Sequence, residues 1–405
     1  MPKPPVVESI LTCFGALPDP RHERGVRHVL HDILVLVLLA ELCGAEDAED
    51  IEEWGELNEE WLREFLELPH GIPSPDTYLR VMQALEPKAF RQAFAEWVGR
   101  LRGASGTATV GGHVAVDGKT LRGSFDTASG TNAIHMVSAW LAECGLVLGQ
   151  TKTDTKSNEI AAIPELLAML DLREVTVTVD AMGCQRGIAE QIADAGGYYV
   201  LAVKDNQPTL HRNVQEFFAD ARKDRRSLED GPAPALDYAS ETDGGHGRVE
   251  TRECWTSPDL SFVEDAAKWK DLRAVGMVAA TRTEVLSGKT SCEPRYYITN
   301  LPEVPAERLN ALVRGHWGIE NSLHWVLDVT FSEDASRVRT RNAAENFATV
   351  RHMAMNLLRE APGQKKSIKT RRKLCGWNRG FLLAVLGFEG TYTPRAPKRR
   401  PSAKA

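Results

Sequence analysis

The sequence predicts an α/β fold preceded by a small all-α domain, and three observations predict it. Residues 25–100 read as a succession of helices. From residue 113 onward, short β-branched runs alternate with helical stretches. Between these regions, residues 103–112 (GASGTATVGG) hold four glycines and no apolar periodicity, as a linker does.

Taken in order, residues 31–43 and 48–67 form the first helices. Another opens at Ser74-Pro75-Asp76-Thr77, with Ser74 placed to cap it and Pro75 at its first position. The last of the group, 88–101, carries Phe90, Phe94, Trp97 and Val98 on one face. Strands follow at 113–117, 133–141 and 146–152, then a helix at 158–170, a strand at 175–180, a helix at 185–195 and a strand at 198–203. That order, β-β-β-α-β-α-β, matches an RNase H-like sheet. Residues 207–301 break the rhythm with polar helical sequence, a turn at Gly244-Gly245 and β segments near 248–255, 273–285 and 294–300, which we read as a β-rich insertion. The expected organisation is a helical domain over 1–102, a linker at 103–112, the first part of the core at 113–206, the insertion at 207–301, core completion at 302–360 and a basic tail at 361–405.

With 405 residues, 42% of them hydrophobic, the chain can bury a full core, and its length suggests roughly two to three domains. The seven cysteines are scattered with no C-x-x-C pair, so neither a disulfide framework nor a structural zinc cluster is implied. The first residues lack a basic segment followed by an apolar one, and the apolar run 33–40 falls far short of the roughly 20 residues that span a bilayer. A cytoplasmic protein is expected.

A net charge of −7 argues against a nucleic-acid partner until the charges are located. Residues 41–67 hold twelve acids against the single base Arg63. Residues 351–405 hold fourteen bases against Glu360 and Glu389. Such an asymmetry suits a chain that grips an anion at one end.

Three carboxylates stand out. Asp117 ends the run Val114-Ala115-Val116, Asp180 ends 175–179 (VTVTV), and Glu320 lies in the helical stretch 308–328. Rigid strand ends suit hard cations held in near-octahedral geometry, and two such ions about 3.5–4 Å apart can serve a phosphodiester. Asp117 would bridge both ions, with Asp180 completing one sphere and Glu320 the other. The plain alternative is that strand-end aspartates merely cap turns. Two cations beside Asp117, Lys119 and Arg122, and the fully apolar strand ahead of Asp180 favour function. Residues 112–120 (GHVAVDGKT) do not form a phosphate-binding loop, because His113 occupies the place of its first glycine.

At helical spacing His316, Glu320, His324 and Asp328 share a face, with Trp317 and Asn321 beside it. A solvated stripe of ion pairs is the bland reading, and a zinc site from His316, Glu320 and His324 is the chemical rival. Glu159, at a helix start, is a candidate auxiliary metal ligand or simply an acid favoured by the helix dipole. Lys119, Arg122, Lys156, Lys204 and Arg314 are candidates for phosphate contacts. His316, Trp317, Asn321 and His324 are candidates for the face that meets DNA, and Trp317 and Trp325 could stack on unpaired bases or belong to the core.

Several stretches together resemble the H-repeat-associated group of bacterial insertion-sequence DDE transposases. They are LPDPR (17–21), IPSPDT (72–77), VAVDGKTLRGS (114–124), LVLGQTKTDTKSNEI (146–160), VTVDAMGCQ (177–185), YVLAVKDNQ (199–207), HGRVETR (246–252), RGHWGIENSLHWVLDVTFSED (314–334) and NLLR (356–359). The resemblance covers nearly the whole chain. It implies a catalytic triad of Asp117, Asp180 and Glu320, two Mg²⁺ or Mn²⁺ ions, and an N-terminal associated helical domain. It further implies a homo-oligomer assembled on double-stranded DNA at transposon ends, and hence association with the nucleoid. Related transposases that cut through a DNA hairpin carry Tyr, Arg and Lys around the glutamate where this chain has Val313, His316 and Leu327, so the resemblance does not extend to a hairpin pathway. The expected reaction is hydrolysis at the element's end followed by attack of the freed 3′-hydroxyl on target DNA. Two alternatives are a catalytically silent DNA-binding descendant, which has no reason to keep three mutually repelling acids, and an RNase H-fold nuclease that never joins strands.

Overall fold

The structure, a computed structural model, describes residues 4–22, 26–105, 111–125, 130, 132–153, 159–224, 236–245, 247–362, 365–388 and 390–391. Five helices come first: α1 (Pro5–Phe14), α2 (Leu30–Cys43), α3 (Ala48–Leu62), α4 (Pro75–Ala84) and α5 (Pro87–Ser105). Then follow β1 (His113–Thr120), β2 (His135–Leu141), β3 (Leu146–Thr153), α6 (Glu159–Leu167), β4 (Thr176–Val179), α7 (Arg186–Asp194), β5 (Tyr198–Val203) and α8 (Pro208–Asp224). The strands β6 (Asp237–Gly245), β7 (Arg248–Ser257), β8 (Ala274–Glu284) and β9 (Thr290–Thr299) precede α9 (Ala306–His316), a π turn at Glu320–His324 and α10 (Trp325–Phe331). Helices α11 (Ala343–Glu360), α12 (Ile368–Trp377) and α13 (Arg379–Val385) complete the order. Among the described residues no helix is long and apolar enough to cross a membrane.

Two compact units emerge, one drawn from Met1–Arg100, Arg122–Phe125 and Val326–Ala405, the other from Leu101–Leu121 and Asp126–Trp325. The second unit is built on a nine-stranded sheet of order β3-β2-β1-β4-β5-β9-β8-β7-β6. β1, β2 and β3 form an antiparallel meander, and β4 and β5 run parallel to β1. This half of the sheet is the RNase H-like arrangement that the strand order predicts. Val114, Ala115 and Val116 are buried, as a central strand covered on both faces requires.

The segment read as a β-rich insertion supplies β6–β9, and these strands continue the same sheet. β9 pairs antiparallel with β5 from Val200↔Thr299 to Val203↔Tyr296, so β6–β9 extend the same sheet. β6 occupies sequence that reads as polar and non-strand, because most of its side chains are solvent-exposed and leave no apolar alternation. α9 packs on these strands through Leu309 and Val313 against Cys254, Val278 and Tyr297.

In the first unit, α2 is buried on nearly every side. α11 is buried along most of its length too, although it carries Asn346, Arg351, His352 and Asn356. Their burial demands partners. Asn346 donates to the carbonyls of Met82 and Leu85 at 2.8 and 3.0 Å. Arg351 lies 3.6 Å from Glu41 and 3.7 Å from Glu333, and Arg372 lies 3.2 Å from Glu41. This corrects the charge reading: part of the basic C-terminal region neutralises the acidic stretch inside the fold rather than facing an anion. The chain from Val326 onward joins the N-terminal helices rather than the sheet, so the segment 302–360, expected to complete the core, divides after Trp325. Residues 392–405, which hold five of the tail's bases, lie outside the described residues.

Candidate active site

Asp117 and Asp180 are set side by side by strand register. The parallel ladder of β1 and β4 runs from His113↔Thr176 to Val116↔Val179, and the next residue on each strand is the aspartate. β1 itself continues past Asp117 to Thr120↔His135 against β2, so Asp117 ends the parallel pairing but not the strand. Beyond β4 the chain turns sharply, and Asp180 Oδ1 accepts the N–H groups of Met182 and Gly183 at 3.0 and 3.2 Å, which orients the carboxylate. A Cβ at Gly183 would lie 2.2 Å from Val179 Cγ1, so that turn requires glycine.

Glu320 opens the π turn, in which the Trp325 N–H donates to the Glu320 carbonyl, five residues back. Single π turns occur where a helix must re-aim side chains. Here the turn presents Glu320 and His324 together: His324 Nδ1 is 3.3 Å from Glu320 Oε2 and 3.6 Å from Asp117 Oδ2. Asp117, Asp180 and Glu320 line one cavity of about 160 Å³, with Lys204, Arg295 and His316 on its walls.

Burial pushes the Asp117 carboxyl up to about 6, against the pull of His324 and the Gly118 N–H; Asp180 and Glu159 reinforce the rise. A divalent cation there would reverse that cost. Donors in adjacent octahedral positions about 2.1 Å from one ion lie about 3 Å apart. One atom each from Asp117, Glu320 and His324 falls within 4.8 Å of the others, so the residues present fit such an ion.

One layer below the acids runs a second polar row. His113 Nε2 and the Thr178 hydroxyl are 2.8 Å apart, and that hydroxyl and His316 Nδ1 are 3.0 Å apart. The three residues precede Asp117, Asp180 and Glu320 by four, two and four positions: His113 on the same strand as Asp117, Thr178 on the strand that leads to Asp180, and His316 at the end of α9 just ahead of the turn that carries Glu320. Burial holds both rings neutral, pushing His113 down to about 3 and His316 to about 4. Gly315 makes the row possible, since a Cβ there would stand 2.7 Å from His113 Nδ1.

Glu159 is buried and separately engaged: its Oε1 is 2.5 Å from His135 Nε2, and His135 Nδ1 is 2.9 Å from the Thr120 hydroxyl. It is not in the cluster of Asp117, Glu320 and His324. The pair lies over Gly118, where a Cβ would be 2.2 Å from His135 Nε2 and 2.5 Å from Glu159 Oε1.

The other sequence candidates are dispersed. Lys119 sits on β1 opposite Met136, and Lys204 lines the cavity. Arg122 belongs to the first unit, where its Nε lies 3.5 Å from Asp334, and Lys156 is outside the described residues. Both Glu241 and Asp243 hold the Arg314 guanidinium. Trp317 is 45% exposed beneath the Arg295 guanidinium, 4.3 Å from its ring centre. Asn321 donates to the Trp317 carbonyl at 3.1 Å. Trp325 is 59% exposed and so is not a core residue. The rival zinc trio is not assembled, because His316 Nδ1 turns to Thr178 while His324 turns to Glu320.

Sequence reasoning missed His113, Thr178, His135 and Arg295. For the first two a signal exists: even spacing along a strand puts His113 on the face of Asp117 and Thr178 on the face of Asp180. Arg295 had none, since its place beside the cavity follows from the pairing of β9 with β5.

Comparison with known proteins adds two family matches. Residues 11–98 match the family described as DDE_Tnp_1-associated, and residues 109–357 match the family described as Transposase DDE domain. A protein of Escherichia coli O157:H7 named "Putative transposase YncI" is 39% identical over 94% of this chain and 95% of its own length. An Escherichia coli K12 protein named "H repeat-associated putative transposase YhhI" is 36% identical over 95% of this chain and 99% of its own length.

Proposed function

This chain belongs to the DDE transposase family, and on that footing we propose that it cleaves insertion-sequence ends and joins them to target DNA by phosphoryl transfer. One observation carries the reading: Asp117, Asp180 and Glu320, contributed by two neighbouring strands and a distant π turn, face a single cavity. The family works with divalent metal, and here Asp117, Asp180 and Glu320 would hold two Mg²⁺ or Mn²⁺ ions. When bound, such ions polarise the phosphoryl oxygens and neutralise the charge that builds in the transition state.

The rest of the site belongs to the chain's own residues. Paired N–H groups fix Asp180, so that its carboxylate needs no reorganisation when substrate arrives. Lys204 and Arg295 direct positive charge into the cavity, where a phosphate of the cleaved strand would lie. His316, held neutral by burial, adds a hydrogen-bonding edge to the same wall. An adjoining groove of about 840 Å³, where five arginines, Arg248 among them, outnumber the acids Asp243, Glu250 and Glu293 that pair with the others, offers a path for the duplex. Trp317, at the junction of cavity and groove, is placed to stack on a base freed at the cut. Double-stranded DNA, as terminal repeat and as target, is the partner this assigns, with two or more copies of the chain holding paired ends.

A plasmid carrying the element's ends tests the reading. Asp117→Ala and Glu320→Ala should abolish strand cleavage in Mg²⁺ while gel-shift binding of end DNA persists; cleavage by either variant would overturn the assignment. A strand-transfer assay separates a transposase from a nuclease that stops after the cut.

A further inference from the structure

We propose that His324 is a metal ligand through Nδ1, so that one of the two ions sits in a mixed oxygen and nitrogen shell and that position favours Mn²⁺ over Mg²⁺. This rests on the reading of the cavity as a divalent-cation site and specifies its donor set. Geometry carries it. His324 is only 4% exposed, yet its Nδ1 faces two of the acids that line the cavity. Nδ1 lies 3.3 Å from Glu320 Oε2 and 3.6 Å from Asp117 Oδ2, near the roughly 3 Å that separates neighbouring donors on one octahedral ion. The other ring nitrogen, Nε2, is buried with no hydrogen-bond partner, so the two acids are what orients the ring.

Asp180 stands outside this cluster of donor atoms, its Oδ1 occupied by two N–H groups, so the tightest group here is two acids and an imidazole rather than three acids. The π turn produces that grouping by delivering Glu320 and His324 from adjacent turns of one segment. The chemical consequence follows from ligand type. Mg²⁺ prefers oxygen donors and retains its waters, whereas an imidazole nitrogen suits transition-metal ions. A nitrogen in the shell therefore tilts the site toward Mn²⁺.

Pulsed electron paramagnetic resonance of the full-length protein loaded with Mn²⁺ alone provides the test. The expected spectrum shows ¹⁴N modulation from a directly bound imidazole, lost in His324→Asn. In the same variant Mn²⁺ affinity should fall roughly tenfold or more, with Mg²⁺ affinity little changed. If Mn²⁺ binds the wild type, Asp117→Asn weakens it, and no ¹⁴N coupling appears, the His324 assignment fails while the cavity remains the cation site. If Asp117→Asn leaves Mn²⁺ binding untouched, both readings fail. Should His324→Asn not fold, the wild-type spectrum decides alone.

Discussion

Asp117→Asn should make the metal-free protein more stable at pH 7.5. The carboxyl is 23% exposed and burial raises it from 3.8 to about 6, a gap of about two pH units. At about 1.4 kcal/mol per unit, the ionised group disfavours the folded state by about 3 kcal/mol above pH 6. The sign follows from proton binding. Between about pH 4 and 6 the folded state binds more protons than the unfolded chain, so stability falls as pH rises through that window and is level above it. Asparagine keeps the shape and removes the charge, while giving up the attraction of His324 and of the Gly118 N–H, so a net gain of about 1–3 kcal/mol is expected. Urea denaturation in EDTA at pH 7.5 and pH 4 measures it: the variant should be the more stable at the higher pH, and the difference should shrink at the lower. Saturating Mn²⁺ should narrow or reverse the difference, because an ion at a hundred times its dissociation constant adds about 2.7 kcal/mol to the wild type and less to the weaker-binding variant. An Asp117→Asn protein less stable than wild type in EDTA at pH 7.5, or a difference that ignores pH, would refute the burial argument.

Thr178→Val removes the hydroxyl shared by His113 and His316 and should cost about 1–3 kcal/mol for the buried ring nitrogens left unpaired. Cleavage should fall as well, and Thr178→Ser should restore it; no rescue would mean that packing, not the hydrogen-bond row, positions the acids. Gly118→Ala forces a methyl against His135 and Glu159 and should lower thermal stability by about 1–3 kcal/mol. The double change Gly118→Ala with His135→Ala should recover part of that loss if the clash is its cause. Arg372→Met removes donors to Glu41, to Ala45 and to the Thr330 carbonyl, leaving a buried carboxylate under-compensated. A loss of about 3–5 kcal/mol in urea unfolding is expected, and a loss under 1 kcal/mol would show that the pair breaks even with apolar packing.

What the sequence reveals and conceals divides along physical lines. β1 and β4 are legible because each is a short run of uncharged, mostly β-branched residues, and the aspartates are conspicuous as the first acids after such runs. β6 is illegible for the opposite reason: a strand exposed along most of its length leaves no alternation, and only its ladder with β7 defines it. The stripe of His316, Glu320 and His324 appears at helical spacing, but the spacing cannot distribute roles. The π turn and the Thr178 hydroxyl do that, sending one histidine to a strand and the other to the acids. Charge composition misled in the same way. A run of bases near the C-terminus reads as a grip for an anion, yet Arg351 and Arg372 are 3% and 5% exposed and face Glu41, more than three hundred residues earlier. Burying those charges is worthwhile only where each has its partner in place, and partners that distant are chosen by the fold. The two aspartates were legible because strand ends impose them locally. The row of His113, Thr178 and His316 was not, because its shared hydroxyl joins residues from three segments far apart in sequence, which only the fold brings together.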